Sequence, residues 1–407
     1  MPSRETDIAT PQLVIDVAGL QNLIDSLRAD GYRVVGPTVR DGAVVLGEMS
    51  DVTELPRGFS DDQRPGGYRL TRRADGAFFG YSVSAATWKH HLFPPEVVSW
   101  QARVDTEGIH VEAPAAPARY ALLGLRACDL AAIAIQDRVL MQTSHPDRDY
   151  AARRERALLV AVNCATPSGS CFCTSMGTGP RATAGYDLAL TELVGDGEEP
   201  ASSAQVPVGA ERNGARARHR FLVEVGSERG AAAISALGAS PPSASDLDAA
   251  AAVWSSAVAG VERTLDTSGL PGLLMRNLEH PRWDLVADRC LSCANCTLVC
   301  PTCFCVDLRE AGGLDPRHAE QHRVWASCFS VDHSQLHGGS MRWSARARYR
   351  QWMTHKLATW HEQFGTSGCV GCGRCITWCP AGIDITEEAA AIRATDGLAG
   401  PPTRARG

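Results

Sequence analysis

The chain has 407 residues, 44% of them hydrophobic, which is enough for an ordinary packed core spread over two or three domains. A net charge of −6 leaves no basic excess, which argues against nucleic acid as a partner. The start, Met1-Pro2-Ser3-Arg4-Glu5-Thr6-Asp7, lacks the apolar stretch of a secretory signal, and runs such as Leu158–Val162 fall far short of the ~20 residues of a membrane span. A soluble, cytoplasmic protein is expected. Its 15 cysteines then point to metal ligation or redox chemistry, because dense disulfides belong to small secreted domains.

In chain order, residues 12–28 (QLVIDVAGLQNLIDSLR) place Leu13, Val17, Leu20, Leu23, Ile24 and Leu27 at helical spacing, predicting an amphipathic helix that stops at Gly31. YRVVGPTVRDGAVVLGEM predicts a hairpin around Asp41-Gly42, followed by about seventy residues of irregular β structure. Lys89-His90-His91, before Phe93-Pro94-Pro95, reads as an exposed loop. Residues 119–125 (RYALLGL) predict a short buried strand leading into Arg126-Ala127-Cys128-Asp129 and a helix, with Asp129 as its N-cap. Residues 156–163 predict a second buried strand that ends at Cys164. In an α/β sheet, functional groups gather where strands end.

Residues 194–219 and 238–246 read as loops, and 246–279 as helix. From about 282 the chain reads as helix interrupted by cysteine runs. The overall expectation is an α+β protein. It has an N-terminal mixed α/β domain (1–245), a helical connector (246–281), an α-helical ferredoxin-like dicluster domain (282–397) and a disordered tail (398–407).

Two runs carry the chemistry. Cys290-x2-Cys293-x2-Cys296-x3-Cys300-Pro301 and Cys369-x2-Cys372-x2-Cys375-x3-Cys379-Pro380 have identical spacing. Three close cysteines wrap one loop around three corners of a cubane, and the fourth completes the other cluster. The expected ligand sets are Cys290, Cys293, Cys296 and Cys379 for one [4Fe–4S] cluster, and Cys369, Cys372, Cys375 and Cys300 for the second. A structural zinc site explains neither the third cysteine nor the Cys-Pro ending, twice over. The 68 residues between the runs set this chain apart from small ferredoxins; part of them, 341–364, is helix-prone. Trp283, Trp325, Trp343, Trp352, Trp360 and Trp378 fall in this region, where they pack the core or keep water from a cluster.

Seven cysteines remain. Cys128 alone reads as a buried core thiol; Cys164, Cys171 and Cys173, with Cys128, leave open a third metal or redox site, and hence a third cluster. Cys303, Cys305 and Cys328 stand near the first run, as thiols lining its pocket or as ligands of a further site. Arg342, Arg346 and Arg350, with Arg348 and Lys356, form one basic stripe on a helix, read first as a solvated face, with charge stabilisation of an anionic cubane or docking of an acidic partner as the alternatives. No Gly-rich nucleotide fingerprint is present in the sequence.

The stretches CLSCANCTLVCPTCFC (290–305), Trp325-Ala326-Ser327-Cys328-Phe329 and FGTSGCVGCGRCITWCP resemble the β subunit of cytoplasmic sulfhydrogenase-type [NiFe] hydrogenases. They also resemble the related iron–sulfur subunit of anaerobic sulfite reductase. Leu125-Arg126-Ala127-Cys128-Asp129-Leu130 is similar to the family's Arg-Pro-Cys-Asp motif, with Ala127 in place of Pro, and CFCTSMGTGP at 171–180 also fits. The resemblance implies a heteromeric complex. One partner would bind FAD, a [2Fe–2S] cluster and NAD(P); others would hold a [NiFe] centre or a sirohaem. This chain would relay electrons between them, and Met341–Phe364 and Gly368–Ile385 favour the hydrogenase side. The competing readings are a component of a sulfite reductase, a thiol- or sulfur-reducing subunit using Cys303, Cys305 or Cys328, and a zinc scaffold.

Overall fold

The computed structural model describes residues 11–112, 116–195, 219–235, 237–312 and 317–398. The chain begins with β1 (Gln12–Asp16), α1 (Val17–Ala29), β2 (Arg33–Arg40), β3 (Ala43–Glu48), β4 (Phe59–Arg64) and β5 (Gly67–Arg72). Then come α2 (Lys89–Leu92), β6 (Glu96–Asp105), β7 (Gly108–Glu112), β8 (Tyr120–Leu125), α3 (Ala127–Leu140), α4 (Arg148–Arg156) and β9 (Leu158–Val162). α5 (Cys173–Met176), β10 (Leu188–Leu193), β11 (Arg220–Val225) and α6 (Glu228–Ile234) follow. The rest comprises α7 (Ala244–Ala259), α8 (Leu270–Arg276), α9 (Arg282–Ala287), α10 (Asn295–Leu298), β12 (Val306–Gly312) and β13 (His318–Trp325). It closes with β14 (Gln335–Leu336), β15 (Gly339–Ser340), α11 (Ala345–Thr354), α12 (Trp360–Phe364), α13 (Arg374–Thr377) and α14 (Ile385–Ala394). The α+β content expected from the sequence is present.

A seven-stranded sheet, in the order β1-β11-β10-β9-β8-β2-β3, organises the N-terminal part. Its centre, β10-β9-β8-β2, is parallel, and the outer strands pair antiparallel. β9 and β10 are buried along their whole length, as the covered centre of a parallel sheet requires. The expected hairpin at Asp41-Gly42 is β2–β3, with both turn residues at positive φ.

Two expectations need correction. Residues 12–16 form an edge strand on β11, and the helix starts only at Val17, capped by Asp16, whose Oδ1 accepts from the Gly19 amide (2.9 Å). Leu20, Leu23, Ile24 and Leu27 keep the helical stripe; β1 was hidden because its partner lies some 200 residues away in sequence. Asp129 is not the N-cap of α3. Arg126 holds that place, and the Asp129 carboxylate closes the capping box at N3 by accepting from the Arg126 amide (3.0 Å).

The region after residue 282 is also not simply helical. β12 and β13 join β6 and β7 in a four-stranded sheet, so strands on both sides of that position share one ladder. Short polar strands such as VDLREAG carry little apolar alternation, and their partner is remote in sequence. The helix expected over 341–364 starts at Ala345 and contains a π-helical turn, His355–Thr359, between α11 and α12. The expected helix over 246–279 breaks at Gly260 and resumes at α8, with Pro271 in its first turn. Most of the expected loop 194–219, and the tail from 399, lie outside the described residues.

Candidate metal centre

Each cysteine run folds the same way. The residues flanking its middle cysteine are left-handed: Ser292 (φ 50°) and Ala294 (φ 66°) around Cys293, Gly371 (φ 65°) and Gly373 (φ 74°) around Cys372. One-turn helices α10 and α13 then start directly and carry Cys296 and Cys375. Such alternation turns successive amides toward one side and makes a concavity for negative charge. The Gly371 amide donates to Cys369 Sγ (3.4 Å), and the Ser292 amide does the same for Cys290.

The two loops differ in their surroundings. In the first, Cys293 is exposed and Leu291 is 68% exposed. The second is pressed against the N-terminal part. A Cβ on Gly371 would lie 2.6 Å from the Phe172 carbonyl oxygen, and one on Gly373 2.4 Å from that of Ser170, so both positions require glycine. Phe172 N–H donates to the Gly371 carbonyl (2.8 Å), and Thr178 Oγ1 to that of Val370 (2.6 Å). The Cys171-Phe172-Cys173 motif therefore cradles the second loop by backbone contact. From the other side, the β4–β5 turn docks on α13. Gly66 N–H donates to the Ile376 carbonyl (3.1 Å), Thr377 Oγ1 to Gln63 Oε1 (2.9 Å), and Tyr68 stacks on Trp378 at 5.1 Å.

Cys290, Cys293, Cys296 and Cys379 wall one cavity, together with Cys375 and an apolar lining that includes Phe329, Tyr349, Trp352, Ile383 and Ile385. Among the described residues, no three Cys, His, Asp or Glu side chains converge on a single metal ion; these thiols instead stand around a space. Tyr349 Oη and Trp352 Nε1 are buried without a hydrogen-bond partner among the described residues, although both rings line this cavity. Buried donors are normally satisfied. A sulfur-rich anionic group in the cavity supplies acceptors for them, so the residues fit a cubane. Burial pushes Cys290 up and Cys296 well above the ordinary thiol value.

Cys369, Cys372, Cys375 and Cys300 form the second group and feel one another's charge. Lys356, from the π turn, is 3% exposed; its Nζ lies 3.3 Å from Cys300 Sγ and donates to Thr302 Oγ1 and the Gly368 carbonyl (both 3.1 Å). A hydrogen bond from Cys303 and the Lys356 charge hold Cys300 well below the usual thiol range, against its burial. Arg374, 2% exposed, donates to Asp129 Oδ1 (2.8 Å) and the Ser84 carbonyl (2.8 Å), and it contacts Cys372. The Arg126-Ala127-Cys128-Asp129 motif thus supplies the counter-ion that fixes a cation beside the second loop.

Cys128, Cys164, Cys171 and Cys173 are all free thiols, and their fields overlap one another and Cys372. Cys171 sits among hydroxyls, with Ser168 Oγ at 3.1 Å and Ser82 Oγ at 3.6 Å. Cys303, Cys305 and Cys328 line a separate cavity of about 180 Å³ with Lys356, Arg342 and His333.

The basic stripe is not a solvated face. Arg346 and Arg350 pair with Glu279, Arg348 is buried and donates to Ser292 Oγ (3.1 Å), and Lys356 is interior. Lys89 is likewise buried rather than in an exposed loop, and its Nζ donates to the Cys303 carbonyl (3.1 Å). Of the six tryptophans, Trp352 lines the first cavity, Trp283 is fully buried and Trp343 is 71% exposed. Lys356, read first as part of a solvated stripe and only second as a cation for a cubane, is interior beside Cys300; Arg374 was not marked out, because nothing in the sequence tied it to Asp129.

Residues 289–383 match the 4Fe-4S dicluster domain family. The chain is 29% identical over 278 residues to sulfhydrogenase 2 subunit beta of Pyrococcus furiosus, an alignment covering 68% of this chain and 74% of that protein. No solved structure matches this one. Among the described residues no helix is long and apolar enough to cross a membrane. The resemblance drawn from the cysteine runs is borne out: the chain is similar to a sulfhydrogenase β subunit and carries a match to a 4Fe-4S dicluster domain, which supports an iron–sulfur protein.

Proposed function

We propose that this chain is the electron relay of a cytoplasmic sulfhydrogenase-type complex. It would take single electrons from a subunit carrying FAD, a [2Fe–2S] cluster and an NAD(P) site, and pass them to a catalytic subunit with a [NiFe] centre. The observation that carries this reading is the pair of identically folded cysteine loops, one at the surface and one locked against the N-terminal sheet domain. A relay needs one accessible end and a protected interior.

The crossed ligation belongs to the same proposal. Cys379, from the second run, walls the cavity of Cys290, Cys293 and Cys296, and Cys300, from the first, stands with Cys369, Cys372 and Cys375. When bound, a cubane supplies reversible one-electron storage. The chain supplies everything else. Phe329, Trp352, Ile383 and Ile385 exclude water from the first site. Ser292 and Gly371 amides donate to ligand sulfurs. Lys356 and Arg374 place positive charge beside the second site, where added electron density is stabilised.

The test is an anaerobic preparation assayed for iron, sulfide and EPR. At least about eight irons per chain are expected, and stoichiometric zinc with little iron would sink the reading. Cys379→Ala should damage the cluster held by the first loop; damage confined to the second would reverse the ligand assignment. Co-purifying subunits that turn over hydrogen support the hydrogenase assembly, and subunits that reduce sulfite place the chain in a sulfite reductase instead.

A further inference from the structure

The cavity of about 180 Å³ lined by Cys303, Cys305 and Cys328 is not used by either proposed cubane. Its three thiols come from two segments. Cys303-Phe304-Cys305 follows the first run directly, and Cys328 lies just beyond β13. Antiparallel pairing of β12 with β13 brings them together: Val306 is opposite Trp325, and the Ala326 amide donates to the Cys305 carbonyl (2.9 Å). Phe304 is pinned edge-on between Trp360 (5.5 Å) and Phe364 (5.9 Å). None of the three is in a disulfide.

The cavity is electropositive. Lys356 and Arg342 line it, and Lys89 reaches the Cys303 carbonyl from behind while packed over Trp325 at 3.7 Å. A buried Lys356 and a half-buried Arg342, with no carboxylate in the lining, suit a group that is itself anionic. Three thiolates on a cubane leave a net negative charge, and a cubane is matched by a cage of this kind. The cavity also abuts both proposed cubane sites. Cys303 hydrogen-bonds to Cys300 of the second, Cys328 neighbours Cys296 of the first, and Trp352 lines this cavity and the first alike.

We propose that Cys303, Cys305 and Cys328 hold a third iron–sulfur cluster, attached by three cysteines and with its fourth iron open to a ligand from outside the chain. The site lies between the other two clusters.

The experiment uses the full chain purified anaerobically, as wild type, as the triple variant Cys303→Ser/Cys305→Ser/Cys328→Ser, and as the single variants Cys305→Ser and Cys328→Ser. Iron and sulfide are counted, EPR is recorded, and circular dichroism checks the fold. About twelve irons are expected in the wild type and about eight in the triple variant, with the signals of the two motif clusters retained. Should the triple variant unfold, the same loss of about four irons in a folded single variant carries the result. About eight irons in the wild type overturn the proposal while leaving the two-cluster reading intact; fewer than about eight overturn that reading as well. Twelve irons unaffected by any variant place the extra cluster elsewhere, and loss of all iron together in every variant reduces the three thiols to structural props.

Discussion

At the residue scale, the second group of cysteines is flanked by two buried cations that no spacing rule announces. Lys356 sits in a π turn inside a helix, a distortion often found at functional positions, and the extra residue there accompanies an inward-facing ammonium. Removing that charge makes adding an electron harder. Lys356→Met should therefore lower the potential of the cluster completed by Cys300, by on the order of 100 mV for a partly screened charge at this range. The other cluster should move much less. A redox titration followed by EPR decides it, and an unchanged or raised potential refutes the role. The eight motif cysteines were legible as candidate ligands because the repeated spacing and the Cys-Pro ending mark them out in the sequence. The placement of Lys356 and Arg374 was not, because Lys356 meets Cys300 56 residues away and Arg374 is anchored by Asp129 245 residues away.

The thiols also set a pH dependence. Burial pushes Cys369 and Cys328 up to about 12, from an ordinary value of 9.0. The folded apo chain therefore prefers neutral thiols there. Their contribution to its stability is complete below pH 9 and drains away as pH rises toward 12, at roughly 1 kcal/mol per thiol per pH unit. Ligation removes those protons, so the iron-loaded chain lacks this loss. Urea unfolding of apo and loaded protein at pH 8, 9.5 and 11 should show the apo curve falling more steeply; parallel curves contradict the account.

At the element scale, one backbone design is used twice under different constraints. The second loop needs Gly371 and Gly373 because carbonyls of the 170–172 segment leave no room for a Cβ. The first, facing outward, tolerates Ser292 and Ala294 at the same left-handed φ, at a cost of about 1 kcal/mol each. Gly371→Ala should thus push the loop off Phe172 and cost more than about 2 kcal/mol, with loss of the cluster. Ala294→Gly should be neutral or stabilise by a few tenths of a kcal/mol, since relief of strain is offset by the entropy of glycine. Melting temperatures and iron content of the two variants check the contrast, and equal effects would remove the packing explanation. The same scale explains what the sequence hid. Hydrophobic runs gave β8 and β9, and turn chemistry gave β2–β3, but β1, β12 and β13 exist because remote strands supply their hydrogen bonds.

At the scale of the whole molecule, the N-terminal sheet domain acts as a clamp with one open end. It grips the second loop through Phe172, Thr178 and the Asp129 carboxylate that holds Arg374, and grips α13 through the β4–β5 turn, while nothing among the described residues covers Cys293 and Leu291. Electron tunnelling weakens steeply with distance, so a bulky acceptor that cannot enter the protein must draw from the outward loop. The chain shows no glycine-rich nucleotide fingerprint, and hydride from NAD(P)H has to be split by a flavin before single electrons can flow. The isolated chain, reduced with dithionite, should pass electrons to a large dye, with the cluster of the Cys290–Cys296 loop reoxidised first in stopped-flow traces. It should not oxidise NAD(P)H until a flavin-bearing partner is added. First reoxidation at the Cys369–Cys375 loop would place the exit on the other face of the molecule, and substantial NAD(P)H oxidation by the chain alone would require a cofactor site in the N-terminal sheet domain.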